Sequence, residues 1–312
     1  MKNIFLVILF FLSTTISAQS SYSIDSSYTI KSTYTKLIKK YPFIKIAEAE
    51  KNIKVTQISD VVYSKDKGRS LHLDAFFNRT KKRNPAIIMI HGGGWRSGNK
   101  NQMQVLAQEI TSKGYSCFTI EYRLSLEAKY PEGIYDVKNA IKFIKDNAKK
   151  FNVDPNKIAV LGCSSGGQMA ALIGTTNDNP AFDDVQNKSK ASSKVNAIIN
   201  IDGVLAFKHP ESSEGDMAAF WLKGTSAENP ENWKNASALS HTDKNTPPTL
   251  FINSSIDRFH AGRDDMIAIL NQNNIYNEVK TIKDTPHSFW FFQPWFGETV
   301  LYTTQFLDKI FK

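Results

Sequence analysis

The sequence predicts an α/β fold: a mostly parallel central sheet with helices on both faces. Three observations predict it. Short apolar runs of the kind buried on both sides of a sheet recur at 86–90 (AIIMI), 158–161 (IAVL), 197–201 (AIINI) and 249–253 (TLFIN). Segments with helical spacing of apolar residues separate them. Turn-forming glycines and the pairs Asn84-Pro85 and Asp154-Pro155 punctuate the joins. The 312 residues suffice for one large domain or two small ones, and α/β folds of this length often run undivided.

The first element is a short basic start, Met1-Lys2, followed by the apolar run Ile4 to Leu12 and small or polar residues up to Ala18-Gln19. That layout predicts a signal peptide over residues 1–18 and an exported protein, periplasmic or secreted. The run is shorter than the ~20 apolar residues of a spanning helix, so no membrane anchor is expected. Residues 19–52 form an N-terminal lead-in, of which 19–35, rich in Ser, Thr and Tyr, read as flexible. The α/β unit is expected over 53–312.

Two strands, VTQISDVVYS and SLHLDAFFN, flank the turn KDKGR, and AIIMI follows Asn84-Pro85. A helix over about Lys100–Lys113 leads through Gly114 to the strand YSCFTIEY. The spacing of Ile134, Val137, Ile141, Ile144 and Ala148 predicts a helix from Ile134 to Asn147, with lysines on its other face. After IAVL a helix is predicted over Ser165–Thr175, then the strand AIINI. The irregular stretches 177–194 and 205–247 are too long for ordinary connections, and 205–247 is read as a small inserted lid. TLFIN, a helix near Asp264–Asn273, the strand EVKTI and a final helix carrying Val300, Leu307 and Ile310 complete the alternation. In such sheets, catalytic groups collect beyond the carboxyl ends of the strands.

The composition is that of an ordinary globular protein, 41% hydrophobic and 22% charged. The formal charge of +9 falls to +8 when Lys2 is removed with the first 18 residues, and the remaining lysines are spread along the chain. That pattern fits a solvated surface, and nucleic acid is not expected as a partner of an exported protein. Cys117 and Cys163 lie near the ends of two strands with a third between them. Two strand spacings of ~4.8 Å exceed the ~7 Å limit for a disulfide, so free buried thiols are expected. Neither cysteine has metal-site spacing.

The chemistry is concentrated in a few motifs. Gly162-Cys163-Ser164-Ser165-Gly166 matches G-x-S-x-G, with a strand before it and a helix after it. A strand turning sharply into a helix needs small flanking residues and lifts the central serine clear, so Ser164 is the candidate nucleophile. His91-Gly92-Gly93-Gly94-Trp95 follows AIIMI. Its glycines let backbone N–H groups approach a substrate oxygen, so Gly93, Gly94 and Ser165 form the candidate oxyanion hole. His91 itself reads as a loop-fixing group. Among six histidines, His287 alone follows the last strand and precedes the last helix, which makes it the candidate base. Asp257, just past TLFIN, is the expected acid, with Asp264, Asp265 and Asp284 left as competitors. Trp95, Arg258, His260 and Trp290 are candidate substrate contacts, and Arg123 and Arg263 are further cations that could meet a polar substrate. Core packing is the default for the aromatic run 289–296.

HGGGW, EYRL…YPEGIYDVKNAIKFI, DPNKIAVLGCSSGGQMAAL and the closing Asp–His arrangement resemble the hormone-sensitive-lipase-like α/β hydrolases, and most of all their bacterial feruloyl and acetylxylan esterase-like branch. The resemblance runs from about Val61 to the C-terminus and is thinnest across 205–247. It departs at Ser165, where relatives carry Ala or a similar residue, and at Asn253-Ser254, where they carry His-Gly before the acid. It implies the α/β-hydrolase fold and a triad of Ser164, Asp257 and His287. It also implies an acyl-enzyme mechanism without metal or cofactor, and an acylated carbohydrate or other small ester as substrate. A peptidase would use the same triad and is separated by comparing ester with amide substrates. A non-catalytic binding protein would lack turnover altogether.

Overall fold

The computed structural model describes residues 23–50, 55–66, 68–79, 82–177 and 179–312. The expected signal segment, 1–18, lies outside the described residues. Among the described residues, no helix is long and apolar enough to cross a membrane.

In chain order the elements are α1 (Ile30–Leu37), β1 (Lys45–Ile46), β2 (Thr56–Asp66), β3 (Arg69–Phe77), β4 (Asn84–Ile90), α2 (Gln104–Ser112), β5 (Ser116–Ile120), α3 (Glu132–Asp146) and β6 (Val153–Cys163). They continue with α4 (Ser165–Thr175), β7 (Ala197–Ile201), α5 (Gly215–Trp221), α6 (Pro230–Asn235), β8 (Thr249–Asn253), α7 (Arg263–Gln272), β9 (Asn277–Thr281), β10 (Phe292–Gln293) and α8 (Trp295–Phe311). The main sheet runs in the order β2-β3-β5-β4-β6-β7-β8-β9. Its first two pairings are antiparallel and the remaining five are parallel. This is the α/β-hydrolase sheet that the sequence predicts.

The apolar runs have no polar alternation because both faces are covered. Along β4, Ile88 and Ile90 enter one core beside Ile134 and Val137 of α3 and Ala170 of α4. Their neighbours Ile87 and Met89 enter the opposite core beside Leu106 of α2 and Phe306 of α8. Successive side chains on a strand point to opposite faces, so helices on both sides require an apolar residue at every position. Each such isoleucine, fully buried, contributes ~1.5–3 kcal/mol. β4 also separates the strands that carry Cys117 and Cys163, and both thiols are buried and free.

Two expectations change in the structure. The lead-in is not all flexible: α1 begins at a capping box in which Thr29 and Ser32 satisfy each other's backbone N–H groups. β1 then pairs antiparallel with β10, immediately beyond the loop of His287. The signal missed was Tyr28, Ile30, Tyr34, Leu37 and Ile38, which all pack on the second core. The insertion 205–247 folds into α5, α6 and a short 3-10 turn at Ala238–His241, with Trp221 and Trp233 buried in the first core. The aromatic run packs as expected: Phe289, Trp290, Phe291, Phe292, Trp295 and Phe296 are all buried in the second core.

Candidate active site

Ser164 occupies the single residue between β6 and α4, with φ 56° and ψ −124°. A non-glycine residue held in such a region stores ~1–3 kcal/mol and persists only where its surroundings fix it. Here the Ser164 N–H donates to the Ile201 carbonyl at 2.8 Å, and the Ser164 carbonyl accepts from the Gln168 N–H at 3.0 Å. The flanking glycines are required by contact. A Cβ on Gly162 would stand 1.9 Å from the Gly166 carbonyl oxygen, so any side chain there would open the bend.

His287 meets the serine hydroxyl with Nε2, at 2.8 Å from Ser164 Oγ. Its other nitrogen, Nδ1, lies 3.0 Å from Asp202 Oδ2. The second carboxylate oxygen of Asp202 accepts the Ser254 N–H at 2.8 Å, and the Asp202 side chain is fully buried. A carboxylate on Nδ1 keeps the proton on that nitrogen and leaves Nε2 free to accept one from the hydroxyl. Phe259 stacks face to face on the imidazole, with centroids 3.3 Å apart, and Trp290 meets the ring edge-on at 5.3 Å.

The acid is therefore Asp202 by geometry, and Asp257 is corrected. Asp257 opens the 3-10 turn Asp257–His260 with its side chain 90% exposed, and its nearest ionisable neighbour is His260, with Nε2 3.9 Å away. The physical reason is that this turn reaches the base through Phe259, which covers the ring face, while the Nδ1 edge is taken from the β7 side. The competitors are also elsewhere. Asp264 pairs with Arg263, Asp265 contacts His209, and Asp284 is exposed. The sequence placed the acid beyond TLFIN, and Asp202, which lies between AIINI and the insertion expected from residue 205, was passed over. The available signal was an aspartate immediately after the all-apolar strand AIINI.

On the other side of Ser164, Gly93 and Gly94 adopt φ 126° and φ 61°. Among the described residues, the N–H groups of Gly93, Gly94 and Ser165 have no backbone acceptor. Gly94 and Ser165 share a cavity with Ser164; Gly93 sits one residue back, with its carbonyl closing the turn to Ser97. His91 fixes this loop as expected. It bonds to the Gly92 carbonyl and stacks on Tyr122 at 4.6 Å, and burial pushes its pKa down to about 4.

The cavity at the serine encloses about 130 Å³. Gly94, Trp95, Ser164, Ser165, Met217 and Phe259 line it, together with two carboxyl groups, Asp202 and Glu214, and the guanidinium of Arg258. Met217 of α5 sits so close to the loop that a Cβ on Gly94 would meet its sulfur at 1.9 Å. Burial raises the Glu214 carboxyl above its ordinary value. Trp95 is anchored rather than loose: its indole N–H donates to Gln168 Oε1 at 2.9 Å, and its ring stacks on Trp221 at 4.8 Å.

Two of the four expected substrate contacts, Trp95 and Arg258, line this cavity. The other two are corrected: His260 and Trp290 are buried away from it, the first behind Asp257 and the second bracing the base. Arg123 is held by Asp136 at 2.7 Å, and Arg263 by Asn253 and Asp264. Met217, Phe259 and Glu214 carried no motif, because their place depends on where the insertion and the β8 turn pack.

Comparisons with known proteins agree with this picture. Residues 73–263 match the model of the BD-FAE family. Esterase LipC of Mycobacterium tuberculosis is 30% identical over 203 residues, 63% of this chain and 50% of LipC. The probable carboxylic ester hydrolase LipM of the same organism is 25% identical, covering 73% of this chain and 52% of LipM. The chain thus spans about half the length of the curated relatives it matches. Among solved structures, a truncated carbohydrate esterase from gut microbiota superposes with a TM-score of 0.68 at 22% identity, covering 84% of this chain and all of that one. Thermogutta terrifontis esterase 2 superposes at 0.69 and 21% identity, covering 82% of this chain and 95% of that one. With its sheet order, its Gly-rich loop and its serine at the strand–helix bend, the chain belongs to the BD-FAE family.

Proposed function

We propose that the protein is a serine carboxylic ester hydrolase that removes short acyl groups, acetyl foremost, from carbohydrate. The observation that carries this reading is the imidazole of His287, hydrogen-bonded to both Ser164 Oγ and Asp202 Oδ2. His287 takes the serine proton as Oγ attacks the ester carbonyl. The oxyanion that forms is held by the N–H groups of Gly94 and Ser165, with Gly93 the alternative donor. His287 then protonates the departing alcohol, and water repeats the sequence to release the acid and restore Ser164.

The cavity supports a small acyl group. Its volume of about 130 Å³ and the Met217 side chain packed against Gly94 favour a short acyl group such as acetyl or propionyl over a feruloyl group, an aromatic ring on a propenoyl arm. Carbohydrate as the acyl carrier is supported by the similarity to the carbohydrate esterase from gut microbiota. Export fits the same reading, and the basic, then apolar, then small-residue pattern of 1–18 supports it. The test is acid release from acetylated xylan, acetylated pectin and feruloylated oligosaccharides. Acetate release that disappears in Ser164→Ala is the expected result. Turnover retained in that variant, or ferulate as the preferred product, would overturn the assignment.

A further inference from the structure

We propose that the N-terminal arm, residues 23–29, is a clamp that positions the two halves of the active site against each other, with Asp25 and Tyr28 as its positioning residues. The inference rests on the hydrolase reading above. The oxyanion loop after β4 and the base loop before β10 come from distant parts of the chain, and the transition state needs donors and imidazole placed together to within a fraction of an ångström. The arm touches both loops.

Asp25 grips the first loop. One carboxylate oxygen accepts from Arg96 Nε at 3.1 Å, while the other accepts the Ser27 N–H at 2.9 Å. The backbone of Asp25 also forms a parallel bridge with Ser97. Arg96 and Ser97 directly follow the HGGGW motif, and their N–H groups both donate to the Gly93 carbonyl. Any slack at Asp25 is thereby passed to the peptide that carries the Gly94 donor.

Tyr28 joins that loop to the base. Its carbonyl accepts from Gln102 Nε2 at 3.1 Å, and Gln102 Oε1 in turn accepts the Asn99 N–H at 3.3 Å. The adjoining Gly98 lies so close to the oxyanion loop that a Cβ there would stand 2.4 Å from the Gly92 oxygen. At its other end, the Tyr28 hydroxyl is 3.1 Å from Ser288 Oγ, beside His287. One residue therefore spans from the buried Gln102 to the buried Ser288. Downstream the arm cannot drift, because β1 pairs with β10 and the Ala47 N–H donates to the Phe291 carbonyl at 2.8 Å.

The test compares kcat, KM and Tm of Tyr28→Phe and Asp25→Ala with the wild-type protein on a chromogenic acetyl ester, normalised by active-site titration. Each variant is expected to lower kcat about tenfold, the cost of a slight misplacement of the oxyanion donors or the base, with KM within about twofold of wild type. Tyr28→Phe combined with Ser288→Ala should be no slower than the slower single variant, since both remove the same contact. Deleting the whole arm would confuse misfolding with misplacement, so the point variants decide. Unchanged kcat per active site in both would overturn the clamp, even if Tm fell. A wild-type protein without esterase turnover would overturn the hydrolase reading, and the clamp with it; an active wild type with unaffected arm variants would overturn the clamp alone.

Discussion

Replacing Asp202 with Asn separates the acid seen in the structure from the one expected in the sequence. The substitution keeps shape and volume at a fully buried site, so the fold is undisturbed. Its chemistry is not neutral. Oδ1 of Asp202 accepts the Ser254 N–H at 2.8 Å, and an amide placed there must keep its oxygen on that donor to avoid facing N–H with N–H. The amide nitrogen then faces His287 Nδ1, which becomes an acceptor and moves the ring proton to Nε2. In that tautomer Nε2 cannot take the Ser164 proton across the 2.8 Å contact. A triad aspartate replaced in this way loses about ten-thousandfold in kcat, ~5.5 kcal/mol in the barrier. Asp257→Asn removes a charge that is 90% exposed and 3.9 Å from its nearest histidine nitrogen, so kcat should stay within about twofold. Initial rates on a chromogenic acetyl ester, with circular dichroism to verify folding, give the answer. An Asp257→Asn defect as deep as that of Asp202→Asn would refute the argument.

Three further perturbations follow from the site and its surroundings. Met217→Ala removes the side chain packed against Gly94 and should raise the rate on butyryl relative to acetyl esters by about tenfold, read from kcat/KM across an acyl series. Burial raises the Cys117 thiol to about 12 and the Cys163 thiol well above its ordinary value, so neither should react with a disulfide reagent at pH 8 until the protein is denatured. His91 is depressed to about 4 in the folded protein against 6.5 when free, so between those pH values the unfolded chain binds the extra proton. Its stabilising contribution is complete above pH 6.5 and is lost as pH falls towards 4, by about 3 kcal/mol at most. Urea midpoints measured over that range should show a slope that His91→Asn flattens.

Most of the sheet was legible because burial on both faces leaves an unmistakable signature. AIIMI, IAVL, AIINI and TLFIN are buried at every position and form β4, the end of β6, β7 and β8. Ser164 and His287 were legible for a different reason: the bend demands Gly162 and Gly166, and the base must follow the last strand of the main sheet. What local pattern cannot carry is which long-range neighbour completes a pair. The lead-in looked unstructured because α1 has no stripe of its own long enough to register. Its order comes from Tyr28, Ile30 and Tyr34 meeting aromatic residues more than 250 positions away, such as Phe291 and Phe292. Phe259 was hidden in the same way, since nothing in the turn Asp257–His260 announces that its ring lies on an imidazole from another loop.

The displaced acid follows from the spacing of a parallel sheet. β7 lies between β6, which ends at the serine, and β8, which ends near Asp257. Adjacent strands are ~4.8 Å apart, so a carboxylate at the end of β7 starts one strand nearer the nucleophile than one beyond β8. Two features make Asp202 fit from there. Its backbone takes φ 48°, which lifts the side chain out of the strand direction, and its N–H is held by the Ile252 carbonyl at 3.0 Å. The residue behind it must be small, since a Cβ on Gly203 would stand 2.4 Å from the Gln168 nitrogen at the start of α4. The pair Asp202-Gly203 is thus built against the same helix that presents Ser164, and the N–H of Ser254 at the end of β8 is spent on Asp202 rather than on orienting an acid of its own. With the β8 loop released from that duty, its turn supplies Phe259 as the cover of the base and Arg258 as a cavity wall. An acid position therefore belongs to the strand end that can bury it against the nucleophile helix, and the order of residues along the chain constrains it only to lie between serine and histidine.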